Sequence, residues 1–360
     1  MKHTYTKLAL AMLVATSGAA FAGGEVNFSN LSAGTVTNLT ISQTGTAGFN
    51  RIGGGSALTA THTATTPSVA LGATAARAVT FAEAASDTSA FTHTGTLTTL
   101  SLTQVSPTAN GTSDDNENSI SGALYTSGGS VTVNQNGEAN AVDMRIGTSS
   151  SSLATTTSIT QTGNDNSTML TRTAGSNTDT LTSTGNLNTL YVTGAATGTN
   201  SVKLTLAGNS NSAWISQAGS DATIRGYNGV ETAIITGDSN VLDLNQSGAT
   251  TLLGLTVAGN TNRIYTTQSG AATTGNIYVN GATNNVDLNQ AGTSATATLS
   301  LTGAGNDVNI TQATAATSAT TALTLTGATG ATVGVTQNTA NASYTYTGTV
   351  PSGGSITVTQ

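Results

Sequence analysis

Cysteine is absent from the 360 residues, proline occurs three times, aromatics make up 4% and charged residues 7%. The first absence excludes disulfides and thiolate metal sites, so stability rests on backbone pairing and packing. The scarcity of charge excludes a polyelectrolyte chain, which needs high net charge and few apolar residues. It also leaves few titratable groups for general acid–base chemistry, and a catalytic protein is not expected. Little proline and no three-residue glycine period exclude a collagen-like rod. A basic surface is missing too. Net charge is −7, so nucleic-acid phosphate is not an expected partner. No cofactor motif stands out.

What is abundant is small and polar. There are 42 glycines, and threonine is roughly one residue in five. Gly, Ser, Thr and Asn are poor helix formers. Much of the 36% apolar content is alanine. This composition points to stacked β structure.

Residues 1–22 read as a secretory signal peptide. Lys2 and Lys7 give the positive start, Leu8–Val14 the apolar run, and Ala20-Phe21-Ala22 the small-x-small cleavage site. Seven apolar residues are too few to span a bilayer. Without this segment Lys203 is the only lysine, and 7 basic against 16 acidic residues give −9. The expectation is an acidic, exported chain, and its lack of cysteine also suits a chain that crosses a second membrane unfolded.

An internal repeat then fixes the fold expectation. Gln246, Gln268, Gln290 and Gln312 are 22 apart, and so are Asn240, Asn262, Asn284 and Asn306, each six residues before its Gln. Gly237, Gly248, Gly259, Gly270, Gly281, Gly292 and Gly303 are 11 apart. Between Asn and Gln, residues alternate. Leu242 and Leu244, Val286 and Leu288, Val308 and Ile310 share a strand face with Asn and Gln, whereas Asp243, Asp287 and Asp307 take the other. The second half-unit alternates as well, as in Leu253, Leu255 and Val257. Each glycine follows a strand, where positive φ permits a sharp arc. The expected fold is all-β: a β-solenoid of strand–arc–strand–arc rungs stacked in parallel, with a 22-residue repeat and an 11-residue half-repeat. Inward Asn and Gln would form amide ladders along the stack.

Upstream, Ile41-Ser-Gln43, Leu102-Thr-Gln104, Val133-Asn-Gln135, Ile159-Thr-Gln161 and Ile215-Ser-Gln217 are read as further copies of the same first strand. Downstream, Val335-Thr-Gln337 and Val358-Thr-Gln360 continue it, and a final strand of this kind reads as an open edge. The chain thus divides into the signal peptide 1–22, degenerate repeats over 23–130 and regular repeats over 131–360. Segment 51–95, with Gly53-Gly54-Gly55 and an Ala/Thr-rich run over Leu71–Ala85, reads as degenerate rungs, a short helical excursion or a long loop.

These residues resemble the curlin repeat of bacterial curli subunits, S-x5-Q-x-G-x-x-N-x5-Q. Gln135-Asn-Gly137-Glu-Ala-Asn140 and Gln161-Thr-Gly163-Asn-Asp-Asn166 match its Q-x-G-x-x-N core. Thr155, Asn211, Asn240, Asn262, Asn284 and Asn306 stand at its serine, and Ile146, Val257, Val279 and Leu301 replace its second Gln. At its Asn, five after Gln, stand Thr251, Thr273 and Ala295. The resemblance implies a structural subunit of an extracellular amyloid fibre for adhesion and biofilm matrix. Implied partners are further copies of the chain, a nucleator subunit, an outer-membrane secretion pore, and abiotic or host surfaces. Implied assembly residues are the Gln and Asn positions above, with Asp243, Asp287 and Asp307 as outward gatekeepers or plain solubilising groups. The same repeat also suits a monomeric β-solenoid adhesin that does not polymerise. An enzyme on a β-helix is a third reading, disfavoured by the scarcity of charge.

Other candidates carry less. His62 and His93 have no motif around them and read as loop or edge residues. Asp114-Asp115-Asn116-Glu117-Asn118 is an acidic cluster without EF-hand spacing, better read as a solvated loop than a calcium site. By parity Trp214, Tyr265 and Tyr278 point outward, where glycan, dye or a neighbouring fibril would meet them, although scattered exposed aromatics are ordinary. Thr296, Thr298, Ser300 and Thr302 form an outward hydroxyl row of the kind that binds ice when it recurs rung after rung; the row before reads Thr274, Asn276, Tyr278 and Asn280.

Overall fold

The computed structural model describes strands and most arcs from Ala19 to Thr359. It does not describe 1–18, 22–23, 27–30, 45–49, 53–58, 64–77, 83–90 and 106–116, some short connections further on, or Gln360; side chains are described, with gaps, from Thr98 onward. Strands are the only regular elements among the described residues. They stack as a β-solenoid with two walls, and every pairing in the main sheet is parallel. Parallel pairing follows from the repeat: each rung returns to the same wall about 22 residues later, running the same way.

One wall, called A, stacks Leu31–Thr44, Phe91–Val105, Gly129–Asn136, Thr155–Thr162, Asn177–Thr184 and Thr199–Ala207. It continues through the C-terminal parts of Ala213–Ile224 and Leu242–Ala258, then Ala272–Asn280, Ser294–Thr302, Ser318–Thr326 and Ser343–Gly348. Wall B stacks Glu117–Thr126, Ala139–Ile146, Thr168–Arg172, Leu190–Thr193 and the N-terminal parts of Ala213–Ile224 and Leu242–Ala258. Ile264–Ser269, Asn285–Ala291, Asp307–Gln312, Thr332–Gln337 and Ser355–Thr359 complete it. The short strand Ala19–Phe21 pairs with Leu31–Thr44; the rest of the segment read as a signal peptide lies outside the described residues.

The core lies between the walls. Burial alternates along most strands, and inward residues such as Leu242, Leu255, Ile264, Ile277, Leu288 and Ile310 are fully buried. Threonine and aliphatic residues suit this half-buried pleated surface, and no single rung buries enough apolar area to stand alone.

Two strands are split. On wall B, Asn50–Ile52 and the start of Phe91–Val105 both pair onto Glu117–Thr126, Ile52 opposite Ile120 and Phe91 opposite Gly122. Segment 51–95 is therefore one rung interrupted at its middle. Thr59–Thr63 and Ala78–Ala82, within the interruption, form their own antiparallel ladder. Where a helical excursion was one of three expectations, Ala78–Ala82 is strand. On wall A, Ile224 pairs opposite Leu253 and Ala233 opposite Leu255, so this strand is split in the same way. Each departure skips one partner residue, Ser121 or Gly254.

Candidate functional site

The inward amides form ladders. On wall B each Gln Nε2 donates to the Oε1 of the Gln one rung before: Gln246 to Gln217 at 3.2 Å, Gln268 to Gln246 at 3.1 Å, Gln290 to Gln268 at 3.0 Å, Gln312 to Gln290 at 3.0 Å, and Gln337 to Gln312 at 2.7 Å. The other amide proton crosses the arc to a carbonyl oxygen of wall A. Gln268 reaches Thr274 O at 3.0 Å, Gln290 reaches Thr296 O at 2.9 Å, and Gln337 reaches Ser343 O at 3.0 Å. Gln is long enough to serve both partners, which satisfies an amide that would be costly to bury bare.

Asn residues brace the opposite arc. Asn240 Nδ2 donates to Asn211 Oδ1 at 2.6 Å and Asn262 to Asn240 at 2.5 Å; Asn284 bonds Asn262, and Asn306 bonds Asn284, in the same way. Asn240 also reaches Gly237 O at 3.2 Å, and Asn262 reaches Gly259 O at 3.3 Å. Both ladders have one polarity, donors toward the lower-numbered rung. At their ends, Gln217 Nε2, Gln337 Oε1 and Asn306 Oδ1 are buried without a partner.

The arc glycines are needed for closeness more than for conformation. A Cβ on Gly259 would stand 1.6 Å from Gly237 O, on Gly281 1.8 Å from Gly259 O, on Gly270 1.9 Å from Gly248 O, and on Gly292 2.2 Å from Gly270 O. Gly248 is tight as well, at 2.6 Å from Gly219 O, and Gly237 at 1.5 Å from Gly208 O. Of these arcs, Gly237 and Gly303 combine closeness with a positive φ, 153° and 134°. The expectation that positive φ is the common reason is corrected: rung-on-rung approach is.

A second correction concerns which wall carries Gln. Gln135 and Gln161 lie on wall A, with Gln161 Nε2 donating to Gln135 Oε1 at 3.1 Å and to Ser167 O at 2.7 Å. Gln43 and Gln104 share that column by backbone register. Gln217 and its successors lie on wall B. They are not copies of one strand. From Gln161 to Gln217 is 56 residues, about two and a half units, and an odd number of half-units exchanges the walls. Beyond Gln161, the wall A column reads Ser183, Leu206, Ile235, Val257, Val279 and Leu301. The wall B column reads Ile146, Arg172 and Gly194 before it reaches Gln217. Gln360 lies outside the described residues.

Between the two ladders sits a buried ion pair that sequence reasoning missed. Arg172 on wall B and Asp179 on wall A are 3% and 2% exposed, and Arg172 Nη2 bonds Asp179 Oδ1 across the interior. Arg172 Nε stands 3.4 Å from Oδ2. Burial pushes the Asp179 carboxyl up from its ordinary value, and the Arg172 charge draws it part of the way back. The only available signal was inward parity: Arg172 follows Thr168 and Leu170, and Asp179 stands two residues before Leu181.

On the outside, Asp243, Asp287 and Asp307 face away from the core as expected, partly covered by their neighbours. Burial pushes Asp287 up; a hydrogen bond from Asn309 Nδ2 at 3.5 Å opposes this and the charge of Asp307 adds to it. Burial pushes Asp307 up too. Trp214 and Tyr265 share one column of wall B, whereas Tyr278 lies on wall A. The hydroxyl row recurs in part: Thr296 lies between Thr274 and Thr320, but Thr298 lies between Asn276 and Ala322. His62 and His93 fall in strands whose side chains are not described, and Asp114, Asp115 and Asn116 lie outside the described residues. Among the described residues no cluster of His, Asp and Glu is placed to hold a metal ion.

No family model matches the chain, and no curated protein or solved structure matches it.

Proposed function

We propose that the chain is a secreted structural subunit of an extracellular fibre of the curli type, assembling rung on rung with further copies of itself. The observation that carries this reading is the pair of one-polarity amide ladders running through a parallel stack. A rung edge of this kind offers an incoming chain backbone donors and acceptors, and an Asn or Gln amide at each fixed position. A segment with the same Gln and Asn spacing completes those bonds, and a segment slipped by one residue turns its apolar side chains to solvent. The outward carboxylates of Asp243, Asp287 and Asp307 oppose flat wall-to-wall association. In this role the partners are other copies of the chain, a nucleating subunit, an outer-membrane pore for export, and the surfaces to which the fibre adheres.

A second reading, a monomeric surface adhesin, draws on the two split strands, one between Ile52 and Phe91 and one between Ile224 and Ala233. A plain rod has no need of such insertions in its repeat, and inserted segments are where binding specificity is usually carried. The test is assembly of the chain lacking residues 1–22, diluted from denaturant. Seeded growth, thioflavin fluorescence and a meridional reflection near about 4.8 Å are the expected result. A β-rich species that stays monomeric for days overturns the fibre reading in favour of the adhesin.

A further inference from the structure

One outward column of wall B is unlike the rest of the surface. Read rung by rung it is Met169, Tyr191, Trp214, Asp243, Tyr265, Asp287 and Asn309, each paired in register with the next. Six intervals of roughly 4.8 Å make it about 29 Å long. One neighbouring column runs Arg145, Thr171, Thr193, Ser216, Asn245 and Thr267, hydroxyl and amide after its first residue, and the column on the other side holds Arg263, Asn285 and Asp307. The aromatics on this face are therefore not scattered, as parity alone suggested. Tyr191 and Trp214 stand with ring centroids 6.1 Å apart and planes tilted by 49°. Tyr265 follows two rungs beyond Trp214, with the Asp243 carboxylate between them and Asp287 after.

We propose that this column binds a neutral linear polysaccharide lying along the solenoid axis. A sugar ring has an apolar face and a rim of hydroxyls. Aromatic rings stack on the first, and carboxylates and amides accept from the second. Along this column the two kinds of group follow one another at rung spacing, in the direction a linear polymer runs. The alternatives fit less well. A lipid surface or apolar peptide needs a contiguous apolar patch, and Asp243 and Asp287 break the column. A polyanion is repelled by the same carboxylates and by the chain's net negative charge. The site belongs to the wall of a single chain, so it does not depend on the fibre reading.

Trp214 is the only tryptophan, which makes the column its own reporter. The experiment titrates cellohexaose and chitohexaose into the chain while following tryptophan emission, first in dilute solution and then on sedimented material, with retention on insoluble cellulose and chitin in parallel. A saturable emission change with at least one of these sugars is expected. Tyr265→Ser, two rungs from the reporter, should weaken it about five-fold. Tyr278→Ser on the opposite wall should leave it unchanged, with both variants keeping the parent circular dichroism. The proposal is overturned by no saturable change and no retention, by equal weakening from both variants, or by alginate or polyglutamate competing as well as the neutral sugars. Sugar binding without fibre growth would remove the fibre reading alone.

Discussion

Arg172 on one wall and Asp179 on the other bond across the interior of the solenoid, at the depth where the Gln ladder has ended on wall A and not yet begun on wall B. A pair of charges so deeply buried holds only while both partners are present. Arg172→Leu alone should cost about 3–5 kcal/mol in a denaturant titration, because it strands a buried carboxylate. Arg172→Leu combined with Asp179→Leu should recover most of that loss. A double variant no more stable than the single one would mean that the pair's geometry, and not its charge, supports the middle rungs.

Gln268 lies midway in the wall B ladder, accepting from Gln290 and donating to Gln246 and Thr274 O. Gln268→Ala leaves buried groups on both neighbouring rungs unmatched, at about 1–3 kcal/mol for each orphan. Gln268→Leu restores apolar volume but not the bonds, so it should rescue little. Hydrogen exchange over 242–300 is the direct readout, with protection falling on both sides of the substituted rung.

The two kinds of glycine should behave oppositely. Gly259→Ala places a methyl 1.6 Å from Gly237 O, a backbone atom that cannot move without separating two rungs. Its cost should exceed the roughly 1 kcal/mol that separates Gly from Ala by backbone preference alone. Gly275 points into the core, where its column neighbours are Leu253 and Ala297 and its nearest obstacle is the Gln268 side chain at 3.0 Å. Gly275→Ala should stay within about 1 kcal/mol of the parent. Thermal unfolding of the two variants side by side separates the close-approach account from a general intolerance of larger residues.

The local grammar of the fold was legible in the sequence because it is short-range. Gln, a glycine two residues on, and an Asn three residues after a glycine each describe one arc, and the structure contains those arcs where the spacing is strict. What could not be read is which wall an arc leaves from. With an 11-residue half-repeat both walls look alike locally, and only the 56-residue step from Gln161 to Gln217 betrays the exchange. The split between Ile224 and Ala233 left a similar trace: Gln217 to Gln246 is 29 residues, one unit and seven more. The Arg172–Asp179 pair was hidden for another reason. It joins different walls, and alternation along a strand says nothing about what lies opposite across the core.

The outward carboxylates give the molecule a pH dependence of definite sign. Burial raises Asp287 and Asp307 above the 3.8 of a free aspartate, and the Asp307 charge raises Asp287 further. The folded state therefore favours their neutral forms more than the unfolded chain does. Stability from this source is complete below about pH 3.8, where both states are protonated. It is lost as pH rises through the raised folded values, so both aspartates weaken the stack at neutral pH. Unfolding midpoints should rise as pH falls from 7 toward 4, and Asp287→Asn with Asp307→Asn should flatten that slope and lift the neutral-pH midpoint. If the chain polymerises as proposed, the same double variant should also shorten the assembly lag at pH 7, since each added rung no longer brings a carboxylate beside another. A slope unchanged by both substitutions would place the pH sensitivity elsewhere, with Asp179 beside Arg172 the next residue to exchange.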